Sequence, residues 1–297
     1  GINLDSFERL NKKEIIKARQ KYINMLKKGQ IPKECRGCIE YKERKLQEVI
    51  KNLFTKKQEP KITHIIVDHF KQCDCACVYC SQKVLYPKTT QHYELLPFIK
   101  DLYKSKRLDE EGNLKVEFQG GNISLLEEFE DLLKEFTEHN CQDFVILMNG
   151  IKYIPQLENL ENSWKSHICI SLDAGTKETF AKIKGVDAFD DVIENIKKLK
   201  EKTQAPISLK YIIVKGINDN IEELTKFLEK VKEIGGIKPV ALEIDYKDTL
   251  LAQGKRFDIP KHYYEMFDFA EKYCKDNSIE YVLYPYTKSL LDKGYSI

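Results

Sequence analysis

Thr63-His64-Ile65-Ile66-Val67-Asp68-His69-Phe70, residues 63–70, marks the point where this sequence changes character. Before it the chain is charged and carries apolar residues at helical spacing: Phe7, Leu10, Ile15, Ile16, Ala18 and Ile23, then Leu46, Val49, Ile50 and Leu53. From residue 63 onward short strand-like runs alternate with longer amphipathic ones. The pattern predicts strands at 63–70, 114–118, 143–148, 167–172, 207–214 and 240–246. Helical stretches follow them near 93–103, 125–137, 154–161, 189–200, 221–234 and 263–276, and 279–284 offers a seventh strand. Regular βα alternation demands a parallel sheet with right-handed crossovers.

A flat doubly wound sheet and a barrel both satisfy that demand. The barrel is favoured because several strands alternate apolar with polar residues, as in Lys115/Glu117/Gln119 and Cys169/Ser171/Asp173, whereas a sheet covered on both faces is apolar throughout. One face then looks into a polar lumen. The expected fold is α/β, a partial (βα)6 TIM-like barrel over residues 61–248, with an N-terminal helical extension over 1–60 and a C-terminal αβ cap over 249–297. Chemistry in such folds gathers at the C-terminal strand ends.

The 297 residues, 42% hydrophobic, suffice for one large core. No apolar run reaches the roughly 18 residues of a membrane span, and the first residues lack the pattern of a signal peptide. A soluble, cytoplasmic protein with no membrane partner is therefore expected. Lysine and arginine number 49 against 47 acidic residues, a net charge of +2 that argues against nucleic acid as a partner. Residues 1–60 hold 16 basic and 8 acidic side chains, which a solvated helical face explains.

Nine cysteines include two tight groups, Cys35/Cys38 and Cys73/Cys75/Cys77/Cys80. Clustered thiols in a long chain without a secretion signal point to metal or redox chemistry before disulfides. The segment Gln72-Cys73-Asp74-Cys75-Ala76-Cys77-Val78-Tyr79-Cys80-Ser81 follows the first strand directly, at the mouth of the expected barrel. Thiolates are the ligands that iron clusters prefer, and three on one short loop can wrap a cubane while leaving its fourth iron open. A zinc-stabilised, non-catalytic binding module using Cys35, Cys38, Cys77 and Cys80 is the rival reading; it leaves Cys73 and Cys75 without a task. An electron-transfer ferredoxin needs a fourth thiolate and no barrel.

Cys73, Cys77, Tyr79 and Cys80 match Cys-x3-Cys-x2-Cys with an aromatic residue before the last cysteine, and on these residues the sequence resembles the radical S-adenosylmethionine (SAM) superfamily. The resemblance implies a 4Fe-4S cluster held by Cys73, Cys77 and Cys80, with Cys75 a spectator. Phe118-Gln119-Gly120-Gly121-Asn122 looks like the Gly-Gly-Glu element that receives the SAM ammonium group, with Asn122 in place of the acid. Met148-Asn149-Gly150 is similar to the family's Thr-Asn-Gly turn, and Ser171-Leu172-Asp173 to its Ser-Leu-Asp element. Lys210 and Lys215-Gly216-Ile217-Asn218-Asp219 resemble a further SAM-contacting segment. The implied cofactor-binding residues are thus Tyr79, Gly120, Gly121, Asn122, Asn149, Ser171, Asp173, Lys210 and Asn218.

The chemistry implied is reductive cleavage of SAM to a 5'-deoxyadenosyl radical that abstracts hydrogen from a substrate. It calls for a low-potential electron donor such as flavodoxin or ferredoxin. Glu117, Gln119, Lys210, Glu243 and Asp245 are candidate substrate contacts. Cys169, on the side of its strand shared with Ser171, is a candidate hydrogen donor, although a small buried core thiol is the plainer reading. Cys35 and Cys38 can serve an auxiliary metal or cluster, together with Cys274 or Cys141. A small-molecule substrate is expected; peptide or RNA modification is the alternative within the family.

Overall fold

The computed structural model describes residues 12–30, 61–80, 94–160, 166–245, 259–284, 287, 288 and 291. The loop with Cys35 and Cys38 lies outside them, as does most of the expected N-terminal extension. Among the described residues seven strands are present: β1 (His64–Val67), β2 (Lys115–Phe118), β3 (Asp143–Met148), β4 (His167–Ser171), β5 (Ile207–Ile213), β6 (Val240–Ile244) and β7 (Tyr281–Leu283). They form one parallel sheet in the order β1-β2-β3-β4-β5-β6-β7. A doubly wound sheet reverses its strand order at a switch point. This order never reverses, and β1 and β7 stand at opposite ends, so the sheet is that of a partial barrel.

Among the described residues the helices are α1 (Lys12–Lys27), α2 (Leu96–Lys104), α3 (Phe129–Glu138), α4 (Lys177–Lys184), α5 (Phe189–Lys202), α6 (Ile221–Ile234) and α7 (Lys261–Asp276). Two differences from the sequence expectation concern the crossovers. Residues 154–160 are not an α-helix; Pro155–Asn159 forms a single short 3-10 helix opened by Pro155 and without a side-chain cap. The helix α4 was not expected, yet its ends are encoded: Thr176 accepts a hydrogen bond from Thr179 N at 3.3 Å, and Gly185 closes the helix in the left-handed conformation. The seventh strand offered by 279–284 is present, with β7 pairing in parallel to β6 and continuing the sheet.

Register explains the two faces. Val67, Phe118, Ile146, Ile168 and Ile207 form one row across five strands and all belong to the main core beneath the helices. The opposite face carries Ser171, Lys210, Ala241 and Val282 in one row and Ile66, Glu117, Val145 and His167 in another. Polar groups concentrate on this second face, the lumen. No helix among the described residues is long and apolar enough to cross a membrane.

One latch ties the strand-end loop after β1 to the helical layer. Glu128 accepts from Leu95 N at 2.9 Å and Leu96 N at 3.0 Å, closing the start of α2, and meets His69 Nε2 at 2.9 Å. Burial alone would raise the Glu128 pKa, but the His69 contact and the two backbone amides outweigh it and hold the carboxyl below its ordinary value. A carboxylate depressed in the folded state contributes stability above its ordinary pKa, and loses it as pH falls through the lower folded value. Glu128→Gln is expected to cost about 1–2 kcal/mol near neutrality. Thermal melts should show that difference shrinking in acid.

Candidate active site

The cysteine loop is gripped on two sides, and the grip explains the glycines beside it. After β2, Gly121 N donates to Phe70 O at 3.0 Å and Asn122 N to Gln72 O at 2.7 Å. A Cβ on Gly120 would collide with the Asp68 carboxylate, and one on Gly121 with the Gln72 carbonyl. Gly120 also has a φ of 112°, which L side chains rarely adopt. These glycines therefore let the loop after β1 lie directly against the end of β2. From the other side, Ala76 N donates to Lys184 O at 2.7 Å and Val78 N to Ile183 O at 3.0 Å, so the last carbonyls of α4 find partners in the cysteine loop. Gly185 is needed there as well, since its Cβ would sit 2.8 Å from that of Ala76.

Cys73 is exposed and Cys75, Cys77 and Cys80 are half-buried, all as free thiols. Cys80 N closes a turn onto Cys77 O at 3.3 Å. The Cys75 Sγ lies within 4.8 Å of the Cys73 Sγ, and the thiols of Cys73, Cys75 and Cys77 perturb one another. Interaction with the neighbouring Cys75 thiol is the main reason the Cys73 thiol is lowered to about 7; Cys77 is lowered to about 6, again chiefly by Cys75, against burial and with help from the Lys184 charge. Cys75, flanked by those two thiols and partly removed from water, is pushed far up. The ligand atoms of Cys73, Asp74 and Cys75 lie within 4.8 Å of one another, a spacing suited to a single ion. A cubane distributes its thiolates over separate irons and needs no such closeness.

Asp74, which the sequence reading passed over, joins two strand-end turns. Its carboxylate accepts from Asn122 Nδ2 at 2.9 and 3.0 Å and from Asn149 Nδ2 at 2.6 Å. Asn149 Nδ2 also lies 3.2 Å from Cys75 Sγ, while its Oδ1 accepts from Ile151 N at 3.1 Å. Asn122 is buried, gives a further hydrogen bond to Ser124 Oγ at 2.7 Å, and keeps its Oδ1 buried without a partner. Gly120, Gly121, Asn122 and Asn149 are thus brought together around the cysteine loop.

A second residue missed in the sequence is Lys184. It is wholly buried, donates to Asp173 Oδ2 at 2.5 Å and to Tyr79 Oη at 2.8 Å, and Tyr79 Oη in turn donates to Asp173 Oδ2 at 2.5 Å. The other Asp173 oxygen accepts from Ile212 N at 2.8 Å. Asp173 has a φ of 61°, tolerable for aspartate and held here by those bonds. Asn218 spans the same region, donating to Asp173 O and Ile212 O at 2.8 Å each and accepting from Val214 N at 2.6 Å. Tyr79, Asp173 and Asn218 are therefore brought together, with their polar atoms engaged by one another and by backbone. Helical spacing could not single out Lys184 among the other lysines of its segment; the signal available was its position directly before the capping Gly185.

Deeper in the lumen Lys210 Nζ meets Glu243 Oε2 at 3.0 Å and lies 5.0 Å from the centre of the Tyr284 ring. Ser171 shares the register row of Lys210. Cys169 is buried on this face, and burial pushes its thiol pKa up. Asp245 is buried past the end of β6, its N bonded to Ile213 O at 3.0 Å. Glu117 pairs with Lys115 at 2.8 Å and His64 at 3.4 Å toward the N-terminal end of the sheet, away from the cysteine loop, and Gln119 stands half-buried between.

A family model described as the radical SAM superfamily matches residues 67–231. This chain belongs to the radical SAM superfamily. A curated relative, the GTP 3',8-cyclase of Desulforamulus reducens, is 26% identical over 174 residues, 58% of this chain and 53% of that protein. The chain spans about half the length of that relative. Among solved structures, Streptococcus suis SuiB bound to precursor peptide SuiA superposes with a TM-score of 0.59 at 13% identity, over 91% of this chain and 62% of that one. Native anSMEcpe with bound AdoMet does so with a TM-score of 0.54 at 17% identity, over 79% of this chain and 67% of that one. At such identities the likeness speaks for the fold.

Radical SAM membership implies a 4Fe-4S cluster and SAM, and the residues present suit both. Soft thiol donors sit on one exposed-to-half-buried loop at the strand ends. Beside them stands the Asn122 Oδ1, a buried acceptor without a donor, as expected of a group whose partner is a ligand.

Proposed function

We propose that this chain is a radical SAM enzyme whose Cys73, Cys77 and Cys80 hold a 4Fe-4S cluster with one iron left for SAM, and whose lumen takes a small-molecule substrate. When bound, the cluster and SAM supply a one-electron cleavage that yields a 5'-deoxyadenosyl radical able to abstract hydrogen. A low-potential electron donor such as flavodoxin or ferredoxin completes the requirement. The observation that carries this reading is the double grip on the cysteine loop by the end of β2 and the C-terminus of α4. It fixes the loop where the strand ends meet the lumen.

The chain's own residues divide the work. Gly120, Gly121, Asn122 and Asn149 border the loop as the SAM-facing wall. Tyr79, Asp173 and Asn218 act chiefly by fixing that wall's far side, because their polar groups already serve one another. Lys210 and Glu243, with Ser171 and Asp245 near them, offer charge and hydrogen bonds to a substrate deeper in the lumen, and Glu117 and Gln119 extend that lining. Cys169 stays a protonated thiol there, the form a hydrogen donor must have. The nucleotide in the name of the relative, GTP 3',8-cyclase, supports the small-molecule class. Residues 61–248 form the catalytic unit in this reading, with 1–60 and 249–297 as extension and cap.

Anaerobic purification tests the metal directly. Brown protein with broad visible absorption and iron lost on Cys73→Ala is expected. Colourless protein carrying zinc would replace this reading with that of a metal-stabilised binding module.

A further inference from the structure

Asp74 presents an anomaly of charge. Its carboxylate sits half-buried between two turns, and the donors on it among the described residues are neutral side-chain amides, Asn122 Nδ2 and Asn149 Nδ2. No lysine, arginine or histidine of the described residues forms an ion pair with it. A charged carboxylate placed out of bulk water normally recruits a cation. Next to it, Asn122 is 2% exposed and its Oδ1 has no donor. The amide cannot simply be turned over, because that would set its oxygen against the Asp74 carboxylate and leave its nitrogen without an acceptor.

One anion without a cation and one acceptor without a donor, side by side, call for a cationic group with several N–H bonds. A primary ammonium fits this demand, having a full charge and three donors. We propose that Asp74 and Asn122 together receive the ammonium group of SAM, so that the negative charge missing at position 122 is supplied from within the cysteine loop. The inference rests on the proposed function and deepens it. It also accounts for Asn122, whose amide holds Asp74 in place with its nitrogen while offering its oxygen to the ligand. A metal ion bridging Cys73, Asp74 and Cys75 is the competing occupant.

The test is equilibrium binding of SAM, and of its analogue lacking the amino group, to cluster-reconstituted wild type, Asp74→Asn, Asn122→Glu and the double variant, with iron content measured for each. Asp74→Asn is expected to keep its iron and weaken SAM about ten-fold or more, while leaving the deaminated analogue unchanged. Adding Asn122→Glu should bring SAM affinity back to within a few-fold of wild type, because the charge returns to the same place. Asp74→Asn binding SAM as tightly as wild type, or losing SAM and analogue equally with no rescue by Asn122→Glu, overturns the proposal. Loss of iron in step with SAM would mark Asp74 as a metal ligand and overturn it as well. A wild type that takes up the cluster but no SAM fails earlier, at the proposed function itself.

Discussion

Cys77→Ala should leave the chain unable to retain iron, whereas Cys75→Ala should retain it. The two residues are two positions apart and their thiols perturb one another, so proximity alone predicts similar losses. The backbone distinguishes them. Ala76 and Val78 are each bonded to a carbonyl at the end of α4, which fixes Cys77 between two anchored neighbours. The loop cannot slip by two residues to offer Cys75 in place of Cys77 without breaking both bonds. Iron analysis and visible absorption after anaerobic reconstitution are the readout. Equal loss in the two variants would show that the ligands are wrongly assigned, and retention in Cys77→Ala would favour the compact Cys73, Asp74 and Cys75 group as the metal site.

Lys184→Met should destabilise the fold by about 3–5 kcal/mol, the usual penalty when one member of a buried ion pair is removed and the other is stranded. Lys184 is 1% exposed and Asp173 is not exposed at all, so neither charge can turn to water. Methionine keeps most of the lysine volume, which makes the effect one of charge. Burial by itself would lower the Lys184 pKa, but Asp173 outweighs it and raises the value above that of an ordinary lysine. A raised value means that the pair contributes in full below the ordinary lysine pKa and is lost only as pH climbs through the higher folded value. Urea denaturation of the metal-free chain at neutral pH measures the loss, which a change below about 1 kcal/mol would contradict. The same substitution also loosens the Tyr79 hydroxyl, so iron retention should fall with stability.

Much of the architecture was legible because periodicity and end signals agreed. β3 and α6 occupy the residues expected of them, 143–148 and 221–234; the helix has an apolar stripe and a capping Asn220 that accepts from Glu223 N at 2.9 Å. The α4 helix was missed because its stripe is short and its composition is dominated by lysine, although Thr176 and Gly185 mark both ends. Site legibility followed a different rule. Cysteines, the glycine pair and the Met148-Asn149-Gly150 turn were readable because unusual residues stood at strand ends. Asp74 and Lys184 were not, since a single acidic or basic residue carries no meaning in a chain that is 32% charged until the fold removes it from water. For the same reason Asp173 and Asn218, read from sequence as ligand contacts, show their engagement with backbone and Lys184 only in three dimensions.

The most direct test is chromatographic: cluster-reconstituted protein, a low-potential reductant and SAM are incubated without oxygen, and 5'-deoxyadenosine is measured. The account predicts its formation by wild type above a reductant-only background and its absence in Cys77→Ala. Protein that carries a full cluster and binds SAM, yet releases no 5'-deoxyadenosine under these conditions, would contradict it.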